Sequence, residues 1–126
     1  MASILIVEDD PTLSEMYQEK FKMAGYEVTC AFSGKEGLGS LKKKKADIIL
    51  LDILMPEING FEMLKKMKMD RKLREIPVIL LTNLGESKID MDSDLTRALG
   101  VKGYLIKTKH TPDDVLAKVK AALKLK

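Results

Sequence analysis

The sequence predicts an α/β chain in which a parallel sheet is covered by helices on both faces. Three observations point there. Short, almost wholly apolar runs recur along the chain, each is followed by a segment with apolar residues at helical spacing, and five such units fit within 126 residues, the ordinary size of one domain. A strand with one wet face alternates apolar and polar side chains. An unbroken apolar run instead asks for cover on both sides, which the crossover helices of a parallel sheet supply.

The first run, Ser3 to Val7, leads to Asp10 as a helix N-cap, Pro11 at the first helical position and Gly25 past the end. Between them Leu13, Met16, Tyr17, Phe21 and Ala24 form one apolar face. The second run, Glu27 to Ala31, is followed by Ser33 and Glu36 at the spacing of a capping box, then by Leu38 and Leu41 on a helix. That helix ends in the run Lys42 to Lys45. Such a run can bind phosphate, but at a helix C-terminus it reads first as a solvated end that complements the dipole.

The third strand, Asp47 to Leu51, places Asp52 at its carboxyl end. Met55-Pro56 and Asn59-Gly60 turn the chain into a helix bearing Phe61, Leu64 and Met67. The fourth strand, Pro77 to Leu81, ends at Thr82-Asn83, and a polar stretch containing Gly85 leads to a helix closed by Gly100. The fifth strand, about Gly103 to Ile106, ends at Lys107. Thr111, Pro112, Asp113 and Asp114 then start a last helix with Val115, Leu116, Val119 and Leu123 as its apolar stripe.

Apolar residues make up 45% and charged residues 33% of the chain, a globular balance. The formal charge of +3 is weak grounds for nucleic-acid binding. A single cysteine, Cys30, supplies neither a disulfide nor a zinc site and suits a reducing compartment. The apolar run at the N-terminus meets Glu8 too soon for a signal peptide or a membrane span, so a cytoplasmic location without membrane insertion is expected. With no linker or internal repeat, residues 1–126 read as one domain, with no output segment after Lys126.

The chemistry lies at the carboxyl ends of the runs. Glu8-Asp9-Asp10, Asp52, Thr82 and Lys107 each come after a different one, and the carboxyl ends of strands in an open parallel sheet share a crevice where ligands bind. Carboxylates gathered there repel unless a cation lies among them. Oxygen ligands with no histidine or cysteine nearby suit Mg²⁺, with Mn²⁺ as its substitute. A carboxylate can also attack phosphorus to give an acyl phosphate, and Asp52 is the candidate nucleophile. Charge on the transferring group is then met by a metal, a fixed cation and a hydrogen-bond donor, roles open to Asp9, Lys107 and Thr82. One such aspartate alone would read as a helix cap, as Asp10 does, and one such lysine as exposed. Four coincidences at four strand ends carry the inference.

These residues resemble the receiver domain of two-component response regulators, across the whole chain. Residues Ile4 to Asp10 look like that family's first strand and acidic pair, and Asp52 to Gly60 like its phosphoacceptor loop. The resemblance implies a doubly wound five-stranded sheet of order 2-1-3-4-5 with five helices. It implies phosphorylation of Asp52 by a sensor histidine kinase or phosphotransfer protein. Mg²⁺ is then held by Glu8, Asp9, Asp52 and the backbone carbonyl of Leu54, and Lys107 pairs with the acyl phosphate. Thr82 moves its hydroxyl onto the phosphate, Tyr104 rotates into the space left, and the face made by the fourth helix, fifth strand and fifth helix changes. Read without the family, Tyr104 is a strand aromatic that packs in a core.

The implied product is a phosphoacceptor that assists its own phosphorylation and dephosphorylation rather than an enzyme. It signals to a downstream protein as a monomer or a phosphorylation-dependent dimer, without touching nucleic acid. Three departures stand out. Asn83, grouped with the switch residues, replaces a small residue. The stretch from Thr82 to Lys107 is a few residues longer than is usual in the family. Thr108 stands where the family has a proline after a cis bond. A cis bond before a non-proline residue costs about 2.5–4 kcal/mol, so a trans bond after Lys107 is expected. Leu54 and Leu84 beside the phosphate position orient water poorly, which predicts slow self-dephosphorylation. The rival readings are a receiver-like interaction module that is never phosphorylated, and an enzyme such as a flavodoxin relative or an aspartyl phosphatase. The acids after the first strand and the acceptor after the third speak against the enzyme.

Overall fold

The computed structural model describes residues 2–52, 60–82, 101–106 and 111–124, with the backbone alone at 60, 61, 82, 101–106 and 124. Five parallel strands, β1 (Ser3–Val7), β2 (Glu27–Ala31), β3 (Ile48–Asp52), β4 (Val78–Thr82) and β5 (Val101–Ile106), form one sheet of order β2-β1-β3-β4-β5. This is the predicted doubly wound arrangement. The described helices are α1 (Pro11–Met23), α2 (Gly34–Lys43), α3 (Gly60–Lys68) and α4 (Pro112–Lys124). Of the five expected helices, α4 is the last, and the one expected before Gly100 lies outside the described residues.

Side-chain alternation divides the core. Ile4, Ile6, Ile48, Leu50, Ile79 and Leu81 face Tyr17 and Phe21 of α1 and Val115 and Val119 of α4. Their neighbours Leu5, Val7, Ile49, Leu51, Val78 and Leu80 face Leu41 of α2 and Met63, Leu64 and Met67 of α3. Both faces of β1, β3 and β4 are thus dry, which is why these strands read as continuous apolar runs. Each such side chain contributes about 1.5–3 kcal/mol on burial. At the edge of the sheet β2 is half wet, and its sequence EVTCA is correspondingly mixed.

Local chemistry sets the helix starts. Asp10 Oδ1 accepts from the backbone N–H groups of Thr12 (3.0 Å) and Leu13 (3.2 Å), so it caps α1 as predicted. Ser33 Oγ accepts from Glu36 N at 3.1 Å. Before α4 the box closes in both directions, Thr111 N donating to Asp114 Oδ2 (2.9 Å) and Asp114 N to Thr111 Oγ1 (3.2 Å). Gly25 turns the chain out of α1 at φ +93°, a conformation that favours glycine.

Several boundaries and faces differ from the sequence reading. Met16 and Ala24 are exposed, whereas Ser14 is buried with its hydroxyl accepting from Gln18 Nε2 at 3.1 Å. A serine that satisfies its hydroxyl within its own helix can take a core position. The third strand begins at Ile48 because the carboxylate of Asp47 serves elsewhere, accepting from Ser3 N at 2.8 Å. The fifth strand begins at Val101 rather than Gly103. Val78 pairs with Val101 but Ile79 with Gly103, so Lys102 is the extra residue of a bulge, and a lysine-glycine pair hides the start of the strand from an apolar count.

Candidate functional site

The strand order reverses between β1 and β3: the chain leaves β1 for β2 on one side and returns to β3 on the other. Carboxyl ends at such a point open a crevice, and acidic residues occupy it here. Val7 and Leu51 are partners across β1 and β3, so the next residues, Glu8 and Asp52, stand beside one another. Asp52 belongs to β3 as its last residue, paired with Leu81, rather than coming after the strand. Glu8 is fixed from the other side, its N–H donating to Ala31 O of β2 at 3.0 Å.

One carboxylate oxygen each from Glu8, Asp9 and Asp52 lies within 4.8 Å of the others. Glu8 and Asp52 are buried, with 0% and 2% exposure, while Asp9 is exposed. The arrangement is therefore two carboxylates at the floor and one at the lip. Among the described residues this is the one group of His, Cys, Asp or Glu side chains close enough to share an ion. Its donors are all hard carboxylate oxygens, a set that suits Mg²⁺ or Mn²⁺ better than the softer zinc or copper. A divalent ion among three such charges converts repulsion into attraction.

Asp10 has a second role that the sequence reading missed. Its N–H donates to Glu8 Oε2 at 3.4 Å while its carboxylate caps α1, so the turn that starts the helix also holds the buried glutamate. The i, i+2 spacing of Glu8 and Asp10 was the available signal.

The remaining predicted residues are placed by backbone alone or not described. Thr82 ends β4 and pairs with Ile106, the residue before Lys107, so β4 and β5 finish level with each other. Tyr104 lies in β5 opposite Leu80. Leu54, Asn83, Leu84 and Lys107, with the bond from Lys107 to Thr108, lie outside the described residues. Among the described residues no helix is long and apolar enough to cross a membrane.

Comparison with known proteins agrees with this geometry. Residues 4–120 match the response regulator receiver domain. The chain is 35% identical over 127 residues to the DNA-binding dual master transcriptional regulator RpaA of Synechocystis, covering 98% of this chain and 50% of that protein. It is also 35% identical to the response regulator SaeR of Staphylococcus aureus, covering 94% of this chain and 49% of that one. The chain thus spans about half the length of these curated relatives. Among solved structures, chemotaxis protein CheY4 of Vibrio cholerae superposes with TM-score 0.85 at 30% identity, covering 96% of this chain and 98% of that one. A response regulator from Chloroflexus aurantiacus gives 0.86 at 31% identity, covering 98% of each. An acidic crevice at the switch point of a 2-1-3-4-5 sheet, matched across nearly the whole sequence, means that this chain belongs to the response regulator receiver domain family and so to two-component phosphorelay signalling.

Proposed function

We propose that Asp52 is the phosphoacceptor of a single receiver domain spanning residues 1–126. The observation that carries this reading is the convergence of Glu8, Asp9 and Asp52 within 4.8 Å. A carboxylate oxygen of Asp52 attacks the phosphorus of a phosphohistidine on a sensor kinase or phosphotransfer protein. The new O–P bond forms as the N–P bond breaks, and the departing imidazole takes up a proton. Glu8, Asp9 and Asp52, with the Leu54 carbonyl that the family resemblance adds, would hold Mg²⁺, which would offset charge on the phosphoryl oxygens.

Burial gives Asp52 its selectivity as acceptor. At 2% exposure it is reached from the crevice alone, whereas exposed Asp9 and capping Asp10 are committed to other tasks. Lys107 supplies the fixed cation and Thr82 the hydroxyl; β4 ending next to β3, and β5 ending level with β4, supports this reading. Tyr104 and Asn83 pass the change to the face expected of β5, α4 and the helix that the sequence predicts before Gly100, where a downstream protein docks or a second copy of the chain pairs. The reaction belongs to the cytoplasm, where phosphorylated kinases are found.

Incubation with Mg²⁺ and acetyl phosphate, followed by intact-mass spectrometry, tests this reading. A single phosphoryl adduct that disappears in Asp52→Asn and on chelation of the metal is the expected result. No adduct would make the chain an unphosphorylated interaction module. Phosphate release without an adduct would make it a phosphatase.

A further inference from the structure

We infer that the end of the molecule opposite the acidic crevice is a docking surface for an acidic protein segment bearing an exposed apolar side chain. Helices α2 and α3 both run back from the carboxyl edge of the sheet, so both finish at its amino edge. Leu41, Met67 and Leu73 share one buried cluster that holds these two ends side by side. Residues 42–47 and 65–75 together carry ten basic and three acidic side chains, a formal +7 in a chain of +3, so the rest of the molecule is net −4. Positive charge is therefore concentrated in these two stretches, against a net negative remainder.

Helix capping does not account for so much charge. A helix C-terminus presents about half a negative charge, so two of them ask for roughly one cation. The last turns alone contain Lys42 and Lys43 on α2 and Lys65, Lys66 and Lys68 on α3. Lys44 is engaged with Glu27, and Lys68 Nζ donates to Arg74 O at 3.1 Å, but Lys42, Lys43, Lys65 and Lys66 stand exposed.

Within this basic field Met69 is 87% exposed. An apolar side chain ringed by charge has the anatomy of a small protein interface, an apolar centre inside a polar rim. A lipid surface or a nucleic acid offers one sign of charge across the whole footprint and repels Asp70 and Glu75, which sit among the cations. A protein segment can set basic residues against them. The two stretches also contain no aromatic side chain on which a base could stack.

Two helical peptides of equal negative charge, one with a leucine stripe and one with glutamine in its place, test the proposal against the full chain by calorimetry at physiological ionic strength. The leucine peptide should bind about tenfold tighter than the glutamine peptide, and Met69→Ser should abolish that difference. The double change Lys65→Glu and Lys66→Glu should weaken both by about tenfold or more, while Asp52→Asn leaves both unchanged. These side chains are exposed, and an unchanged thermal midpoint will show that the fold is kept. Equal affinity for the two peptides overturns the proposal. So does the absence of binding, or tighter binding to phosphatidylserine vesicles or to a mixed-sequence DNA duplex than to the leucine peptide.

Discussion

Gly37 of α2 lies directly against Met63 of α3: a Cβ at position 37 would stand 3.0 Å from Met63 Cε and 3.1 Å from Cγ2 of Val7. The close approach draws α2 onto both its neighbouring helix and the strand that leads to Glu8. Overpacking of this kind costs about 1–3 kcal/mol, partly offset by the roughly 1 kcal/mol that alanine gains over glycine within a helix. Gly37→Ala is therefore expected to lower stability by about 1 kcal/mol, measured as a shift in urea midpoint at constant slope.

Asp10 separates helix capping from phosphoryl chemistry. Asp10→Ala removes the acceptor for two backbone N–H groups at the start of α1 and should cost about 1 kcal/mol of stability. Phosphorylation by acetyl phosphate should persist in this variant. A loss of the adduct as complete as that in Asp52→Asn would move Asp10 into the reactive set.

Metal binding should be visible as stability, because the three converging carboxylates exist as a site in the folded chain alone. Mg²⁺ at ten times its dissociation constant should add about 1.4 kcal/mol, or about 5 °C in thermal midpoint. Asp9→Asn should remove most of that increment and, by taking one of three mutually repelling charges away, raise the metal-free midpoint. Thermal melts across a magnesium titration, with and without chelator, give the comparison.

Tyr26 packs edge-on against Phe21, ring centroids 5.3 Å apart at 80°. Burial disfavours its phenolate and raises its pKa above the ordinary 10.0. Because the folded value exceeds the unfolded one, the folded chain holds this proton more tightly. The resulting contribution is complete below pH 10.0 and is lost as pH climbs through the folded value. The absorbance titration of the wild type minus that of Tyr26→Phe should show ionisation above the ordinary value, and the variant should lose part of the alkaline slope of stability.

Much of this architecture was legible because it rests on contrasts visible in single side chains. The strands Ile4 to Val7 and Ile48 to Leu51 are buried on both faces, so their composition alone announces them. Asp10 and Thr111 cap helices by short-range hydrogen bonds that depend on a few neighbouring residues. Glu8 and Asp52 are distant in sequence, but the ends of adjacent parallel strands meet, and charge after an apolar run marks an end. The hidden features depend on pairing between elements. The bulge at Lys102 exists in relation to Val78 and Ile79, and no local pattern reports it. Likewise Gly37 looks like a poor helix residue until Met63 is placed against it.

The hydrogen bonds between Ser3 and Asp47, Ser3 N donating to Asp47 Oδ2 and Asp47 N to Ser3 Oγ, join β1 and β3 at the edge of the sheet remote from Glu8 and Asp52. A slide of one strand by a single residue would exchange its inward and outward faces and part the two acids, and this distant clasp opposes that slide. The spacing on which the reactive carboxylate relies is thus gauged from the far side of the molecule. Loosening Ser3 would blur a measurement whose result is read at the other end of the strand.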